Sequence, residues 1–310
     1  MSRSLIALAV ALLAPPAALA ASVIMVQVGS GSIQDAIDTA APGDVVELHP
    51  SPEGYPWFDE AIVIDKPLTL RGRRPAEGEG RMGVNAACAA PSAITVAADR
   101  VRIGDVAATN ATLAQIDIVG RAHVALEGVT VIRALSLPPF PSCGAPYGVR
   151  VVGGRSHRLT QVYALSLGFL SDPGDAALSI ADVGPRAHVG VRDLAVQDYG
   201  WAVVIENAAA TGRVTVQRGT IFAMNPLPPG AGGGISLRNA DGVKIKSIAV
   251  RDDNSTFPVT VGIALDATSD GNRILGNDIN GAVAGVQDLG AGNCLLGNSL
   301  DGLPLPSYCP

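Results

Sequence analysis

The chain repeats itself at its C-terminal end: "GNRILGNDING" begins at Gly271 and "GNCLLGNSLDG" at Gly292, with Gly, Asn, Leu, Gly, Asn and Gly at the same six places. Taken as positions i, i+2, i+5 and i+7, these copies place Asn272, Ile274, Asn277, Ile279 over Asn293, Leu295, Asn298, Leu300. The same template runs backward through Val243, Ile245, Ile248, Val250; Val214, Val216, Gly219, Ile221; Val189, Val191, Leu194, Val196; His157, Leu159, Val162, Ala164; Val124, Leu126, Val129, Val131; and Val101, Ile103, Val106, Ala108. A short alternating pair precedes each copy, from Ile94/Val96 and Ile116/Ile118 through Val203/Ile205 and Ile235/Leu237 to a weaker Val286 with Leu289.

Period-two alternation rich in β-branched residues marks short strands with one buried face. A unit of two or three such strands cannot hide its apolar face alone, so copies must stack on one another. The expectation is an all-β chain wound as a single-stranded right-handed parallel β-helix, with corresponding strands ~4.8 Å apart. A composition that is 48% hydrophobic and only 4% aromatic suits such a lattice of small aliphatic side chains. At i+5 the last two copies exchange aliphatic residues for Asn277 and Asn298, which predicts a short asparagine ladder whose amides bond one another and the turn backbone.

The stretch "SIQDAIDTAAPGDVVELHP", Ser32 to Pro50, reads as a short capping helix. Ser32 with Asp35 fits a capping box, Ile33, Ala36, Ile37 and Ala40 share one face, and Pro42-Gly43-Asp44 turns the chain into a strand. With "YPWFDEAIVIDKPLTLRG", Tyr55 to Gly72, it resembles the N-terminal segment of the pectin-lyase-like superfamily of right-handed parallel β-helix proteins. Extra residues in "HPSPEGYPW" enlarge the first turn relative to that pattern. The resemblance implies one β-helix domain and a family containing polysaccharide lyases, glycoside hydrolases, epimerases, adhesins and periplasmic proteins without known catalysis; fold alone does not choose among them.

Residues 1–20 have an early Arg3, an apolar run ending before Pro15-Pro16, and Ala18-Leu19-Ala20, the layout of a cleaved secretory signal. The domain expectation is therefore a signal peptide over 1–20 and one β-helix domain over 21–310. Within it, 21–72 form the N-terminal cap and lead-in strands, 94–302 the rungs and 303–310 the C-terminal tail. No later stretch reads as a transmembrane helix, and the protein is expected to be secreted or periplasmic. Export makes disulfides of Cys88, Cys143, Cys294 and Cys309. Four cysteines allow three connectivities; Cys294 in the last rung and Cys309 near the terminus are expected to pin the tail over the open end, leaving Cys88 to pair with Cys143. A net charge of −6, with lysine only at Lys66, Lys244 and Lys246, argues against a nucleic-acid partner.

Connection lengths vary between i+7 and the next alternating pair, so the long loops leave one corner of the helix, and loops on a rigid scaffold are where function usually lies. The richest cluster there is Asp198, Tyr199 and Trp201 of "QDYGWA" beside Asp252, Asp253 and Asn254 of "RDDNST". Trp201 and Tyr199 are expected to supply a stacking platform for sugars, and Asp198, Asp252, Asp253 and Asn254 hydroxyl contacts. No cofactor is expected, with Ca²⁺ at Asp252 and Asp253 as the one weak candidate; Asp and Asn are also ordinary turn residues. Catalytic candidates are Asp198, Lys246, Arg251, Asp252 and Asp253. Of the signatures of polygalacturonase-like hydrolases only the Asp252-Asp253 pair is present, and of those of epimerases only Tyr199-Gly200. A polysaccharide or cell-surface glycan is the expected partner, in a carbohydrate-binding or surface-associated structural role. The alternative is a lyase or glycoside hydrolase acting on an acidic polysaccharide. His123, His157 and His188 are out of register with one another, which argues against a metal ladder. Val152, Ala181, Glu206, Arg238 and Asp266 form a second outward ladder, expected to hold exposed ion pairs and to lie apart from the binding corner.

Overall fold

A computed structural model describes residues 21–73, 81–133, 143–167, 174–223, 232–252 and 259–309; residues 1–20, expected to be a signal peptide, and residues Asp253 and Asn254 lie outside them. Among the described residues, nine parallel strands from Ile62–Ile64 to Ala284–Asp288 make one sheet. A second, nineteen-stranded assembly carries the i to i+3 and i+5 to i+8 segments as two further ladders. The chain is a right-handed parallel β-helix.

Register confirms the columns. At i+2, Leu70, Ile103, Leu126, Leu159, Val191, Val216, Ile245, Ile274 and Leu295 lie opposite one another in succession, and every one of them is buried. In the nine-stranded sheet the first members of the alternating pairs align from Ile62 through Ile94, Ile116, Val149, Leu178, Val203, Ile235 and Ile263 to Val286. The lead-in strands are thus rungs already, so the stack begins before residue 94. One assignment fails: Leu265 faces Asp288, not Leu289, which is 61% exposed. Leu289 lies past the end of strand Ala284–Asp288, whereas Asp288 accepts hydrogen bonds from Asn293 Nδ2 and Gly290 N–H.

Position i+4 is the corner between the two ladders, and it is left-handed in all eight copies: Asp105, Gly128, Gln161, Asp193, Arg218, Ser247, Gly276 and Gly297 have φ between 53° and 66°. Only three of them are glycine. A left-handed side chain costs about 1–2 kcal/mol, and the turn amides offset this by pairing with the next rung, as Gln161 N–H does with Arg192 O at 2.9 Å.

The predicted asparagine ladder is present in two columns. Asn277 Oδ1 accepts from Ile248 N–H at 3.0 Å and its Nδ2 donates to Asn298 Oδ1 at 2.9 Å. Asn272 repeats the pattern with Val243 N–H, and its own N–H donates to Asn293 Oδ1. Buried backbone donors at these rungs therefore find side-chain partners where turn geometry leaves no carbonyl.

Helix Ile33–Thr39 lays Ile33, Ala36, Ile37 and Ala40 on the first rungs, as its pattern predicted. Ser32 Oγ accepts from Asp35 N–H, but the reciprocal capping partner is Glu60, whose carboxylate accepts from Ile33 N–H at 2.6 Å and from the Ser32 hydroxyl at 2.8 Å. Asp35 does not supply that contact, because the connection between strands Trp57–Phe58 and Ile62–Ile64 brings the Glu60 carboxylate to the helix N-terminus. At the other end, disulfide Cys294–Cys309 holds the tail, whose segment Leu303–Pro304 pairs antiparallel with Ser299–Leu300. Cys88 is bonded to Cys143. No helix among the described residues is long and apolar enough to cross a membrane.

Candidate functional site

The loop corner separates its expected residues. Tyr199 is buried, 5% exposed, with its ring turned into the helix interior. A Cβ on Gly148 would stand 3.2 Å from the Tyr199 hydroxyl, so glycine at that position leaves room for the phenol. Among the described residues its hydroxyl has no hydrogen-bond partner, and burial raises its pKa well above the usual phenol value. Tyr199 is therefore core, and the expectation of a two-ring platform is corrected to a single outward indole. Asp198 is left-handed at φ 61°, largely buried, and accepts from Gln197 Nε2.

The described catalytic candidates Asp198, Arg251 and Asp252 each have a partner outside the set. Lys246 is exposed on the i+3 position of its strand, across the left-handed corner Ser247 from Arg251. Arg251 is tied to Asp278 of the next rung at 2.7 Å, and that contact holds the Asp278 carboxyl below its usual range. Asp252 accepts from Val259 N–H, which closes the base of its own loop. With Asp253 and Asn254 outside the described residues, the Ca²⁺ pair is represented by Asp252 alone; among the described residues no three His, Cys, Asp or Glu side chains gather as a metal site. His157 is a core residue at 1% exposure; burial lowers its pKa, and its Nδ1 has no partner.

Trp201, at the start of strand Trp201–Ala208, faces out of the nine-stranded sheet. Its indole lies over Gly233 of the next rung, where a Cβ would come within 2.6 Å of Cζ3. Glycine there lets the ring lie along the sheet. A groove of about 410 Å³ runs from Trp201 over Ser236, Arg238, Thr260, Asp266 and Gln287. Trp201, Gly233, Val261 and Ala284 are in register, so the groove crosses four rungs, a length of about 14 Å at ~4.8 Å per spacing.

Arg238 is held by Glu206 Oε1 at 2.9 Å and Ser236 Oγ at 3.2 Å, the ion pair expected on that ladder. Asp266 does not extend it: burial raises its pKa, but hydrogen bonds from Ser269, Thr268 and the Asn239 backbone outweigh this and bring it below the usual value. The expectation that Arg238 lies apart from Trp201 is overturned, since both line one groove. Inward Ile235 and Leu237 put Ser236 and Arg238 on the outer face, but strict alternation would turn Trp201 inward with Val203 and Ile205, so its place beside them shows only in the fold.

No protein-family model matches the chain, and no curated protein sequence does. Solved structures do. An alginate lyase from Paenibacillus sp. str. FPU-7 superposes with a TM-score of 0.59 at 12% identity, over 91% of this chain and 96% of that one. A mannuronic acid-specific polysaccharide family 6 lyase from the human gut microbiota superposes with a TM-score of 0.51 at 12% identity, over 85% and 67%. The chain has the pectin-lyase-like parallel β-helix fold, and at such identities the likeness is one of fold.

Proposed function

We propose that the protein is exported and binds an acidic polysaccharide along the outer face of the nine-stranded sheet, in the groove that begins at Trp201. The carrying observation is the outward indole laid over Gly233 at one end of a groove whose other rungs present Ser236, Arg238, Thr260 and Gln287. Sugar C–H faces pack on an indole, hydroxyl and amide side chains suit sugar hydroxyls, and a guanidinium pre-oriented by Glu206 and Ser236 suits a uronate carboxylate. The secretory layout of residues 1–20 and the two disulfides support export. The solved neighbours, whose names specify alginate and mannuronic acid, support an acidic glycan.

A glycan array followed by calorimetry on the hits tests this. Trp201→Ala should weaken binding about tenfold or more with unchanged circular dichroism, a loss of about 1.4 kcal/mol or above. Arg238→Ala should weaken uronate polymers more than neutral ones. Parental affinity in both variants would place the site elsewhere. A lyase or hydrolase acting on the same glycan is read from the same incubations, by unsaturated uronate absorbance or new reducing ends.

A further inference from the structure

A different face carries charge of one sign. Outward positions i+1 and i+3 of the first ladder hold Arg102, Arg158, Arg192, Lys244, Lys246 and Arg273, against the single acid Glu127 in the same rungs. Two of the three lysines in a chain of net charge −6 stand here, so the accumulation does not follow from composition.

These cations also differ from others in the fold. Arg71, Arg133, Arg150, Arg218, Arg238 and Arg251 each have a carboxylate partner. Among the described residues, Arg158, Lys244, Lys246 and Arg273 make no side-chain hydrogen bond or ion pair. Arg192 Nη2 meets only the Gln217 amide oxygen, at 2.9 Å in the orientation that satisfies both groups. Leaving like charges unpaired on adjacent rungs costs stability through mutual repulsion, which a bound polyanion would relieve. A groove of about 620 Å³ opens along this face, lined by Arg158, Thr160, His188, Arg192, Thr215 and Gln217.

The register sets the geometry. Arg158, Gly190, Thr215, Lys244 and Arg273 lie opposite one another on five successive rungs, with Arg192 on the second rung and Lys246 on the fourth. Cations therefore recur over about 19 Å along the axis, in steps set by the ~4.8 Å strand spacing, and Thr160, Thr215 and Gln217 stand between them as hydroxyl and amide groups.

We propose that this face is a second binding surface, an anchoring track on which an extended acidic polysaccharide lies along the helix axis with its anionic groups over Arg158, Arg192, Lys244, Lys246 and Arg273. It is independent of the Trp201 groove, which opens on the nine-stranded sheet. The outward i+1 and i+3 positions of these rungs hold no aromatic side chain on which nucleic-acid bases would stack, and the spaced hydroxyl and amide groups match a polymer bearing a hydroxyl-rich ring between charges.

The test is binding of the full chain to polygalacturonate, dextran sulfate, neutral dextran and a single-stranded oligonucleotide at rising salt. The parent should bind both acidic polysaccharides, not neutral dextran, with affinity falling steeply as salt screens the contacts. Arg158→Gln/Lys244→Gln/Lys246→Gln should lose about tenfold or more of that salt-dependent affinity, since three of its charged contacts are removed. Its melting temperature should match or exceed the parent's. Added to Trp201→Ala, the triple substitution should cause the same further loss, which separates failure of this track from failure of the groove. The proposal is overturned if the triple variant binds the acidic polysaccharides as the parent does, if the parent binds neither, or if the oligonucleotide binds more tightly than both.

Discussion

Asn277→Asp changes one NH₂ group to oxygen in the middle of the asparagine ladder, and the structure predicts a pH-dependent penalty. In the parent, Asn277 is 1% exposed, accepts from Ile248 N–H at 3.0 Å and donates through Nδ2 to Asn298 Oδ1 at 2.9 Å. A protonated aspartic acid reproduces both contacts. An ionised one faces Asn298 Oδ1 with a second acceptor and is desolvated, so its folded-state pKa rises above the ordinary value of about 3.9. A raised carboxyl pKa contributes full stability below the unfolded pKa, and that stability is lost as pH climbs toward the folded pKa. With a rise of roughly two to three units at 1.36 kcal/mol each, the variant should be near parental at pH 3.5 and about 3–4 kcal/mol less stable at pH 7. This corresponds to a fall in Tm on the order of 5–8 °C. Asn298→Asp should be milder: its Oδ1 already accepts from Asn277 N–H and Nδ2, and only the donation to Ile274 O is lost. Thermal melts of parent and both variants at pH 3.5, 5 and 7 measure this. A pH-independent loss in Asn277→Asp, or a larger loss in Asn298→Asp, would refute the assignment of donors and acceptors along the ladder.

Tyr199→Phe removes a buried hydroxyl without a partner and should be neutral or stabilising by about 1 kcal/mol, whereas a loss of that size in urea unfolding would mean that the hydroxyl is bonded. Gly219→Ala adds an aliphatic atom to an aliphatic column yet should destabilise by about 1–3 kcal/mol. A Cβ there meets Leu194 O at 2.8 Å and Leu194 Cβ at 3.3 Å, and a raised Tm in the variant would contradict that packing.

The inward half of this molecule was legible in its sequence. A parallel stack is built by translation, so each interior position must be refilled with an apolar or hydrogen-bonded residue in every copy. Ile103, Leu126, Leu159 and their successors therefore announce both fold and register. The capping face Ile33, Ala36, Ile37, Ala40 was legible for the same reason, and the disulfide of the tail followed from where Cys294 falls in the last rung. Outward positions answer to no such repetition. The partnership of Trp201 with Arg238, thirty-seven residues on, depends on how far each connection carries the chain before the next rung begins. That Tyr199 turns inward depends on the space left by Gly148 on another rung. The left-handed corner shows in sequence only where Gly128, Gly276 and Gly297 occupy it; at Asp105 and Gln161 it is held by hydrogen bonds to the following rung. Glu60 reached the helix N-terminus ahead of Asp35 because tertiary packing placed it there. Burial wrote the interior into the sequence as a period, while the surface that meets a ligand was decided by juxtaposition of rungs distant in the chain, which only the folded stack supplies.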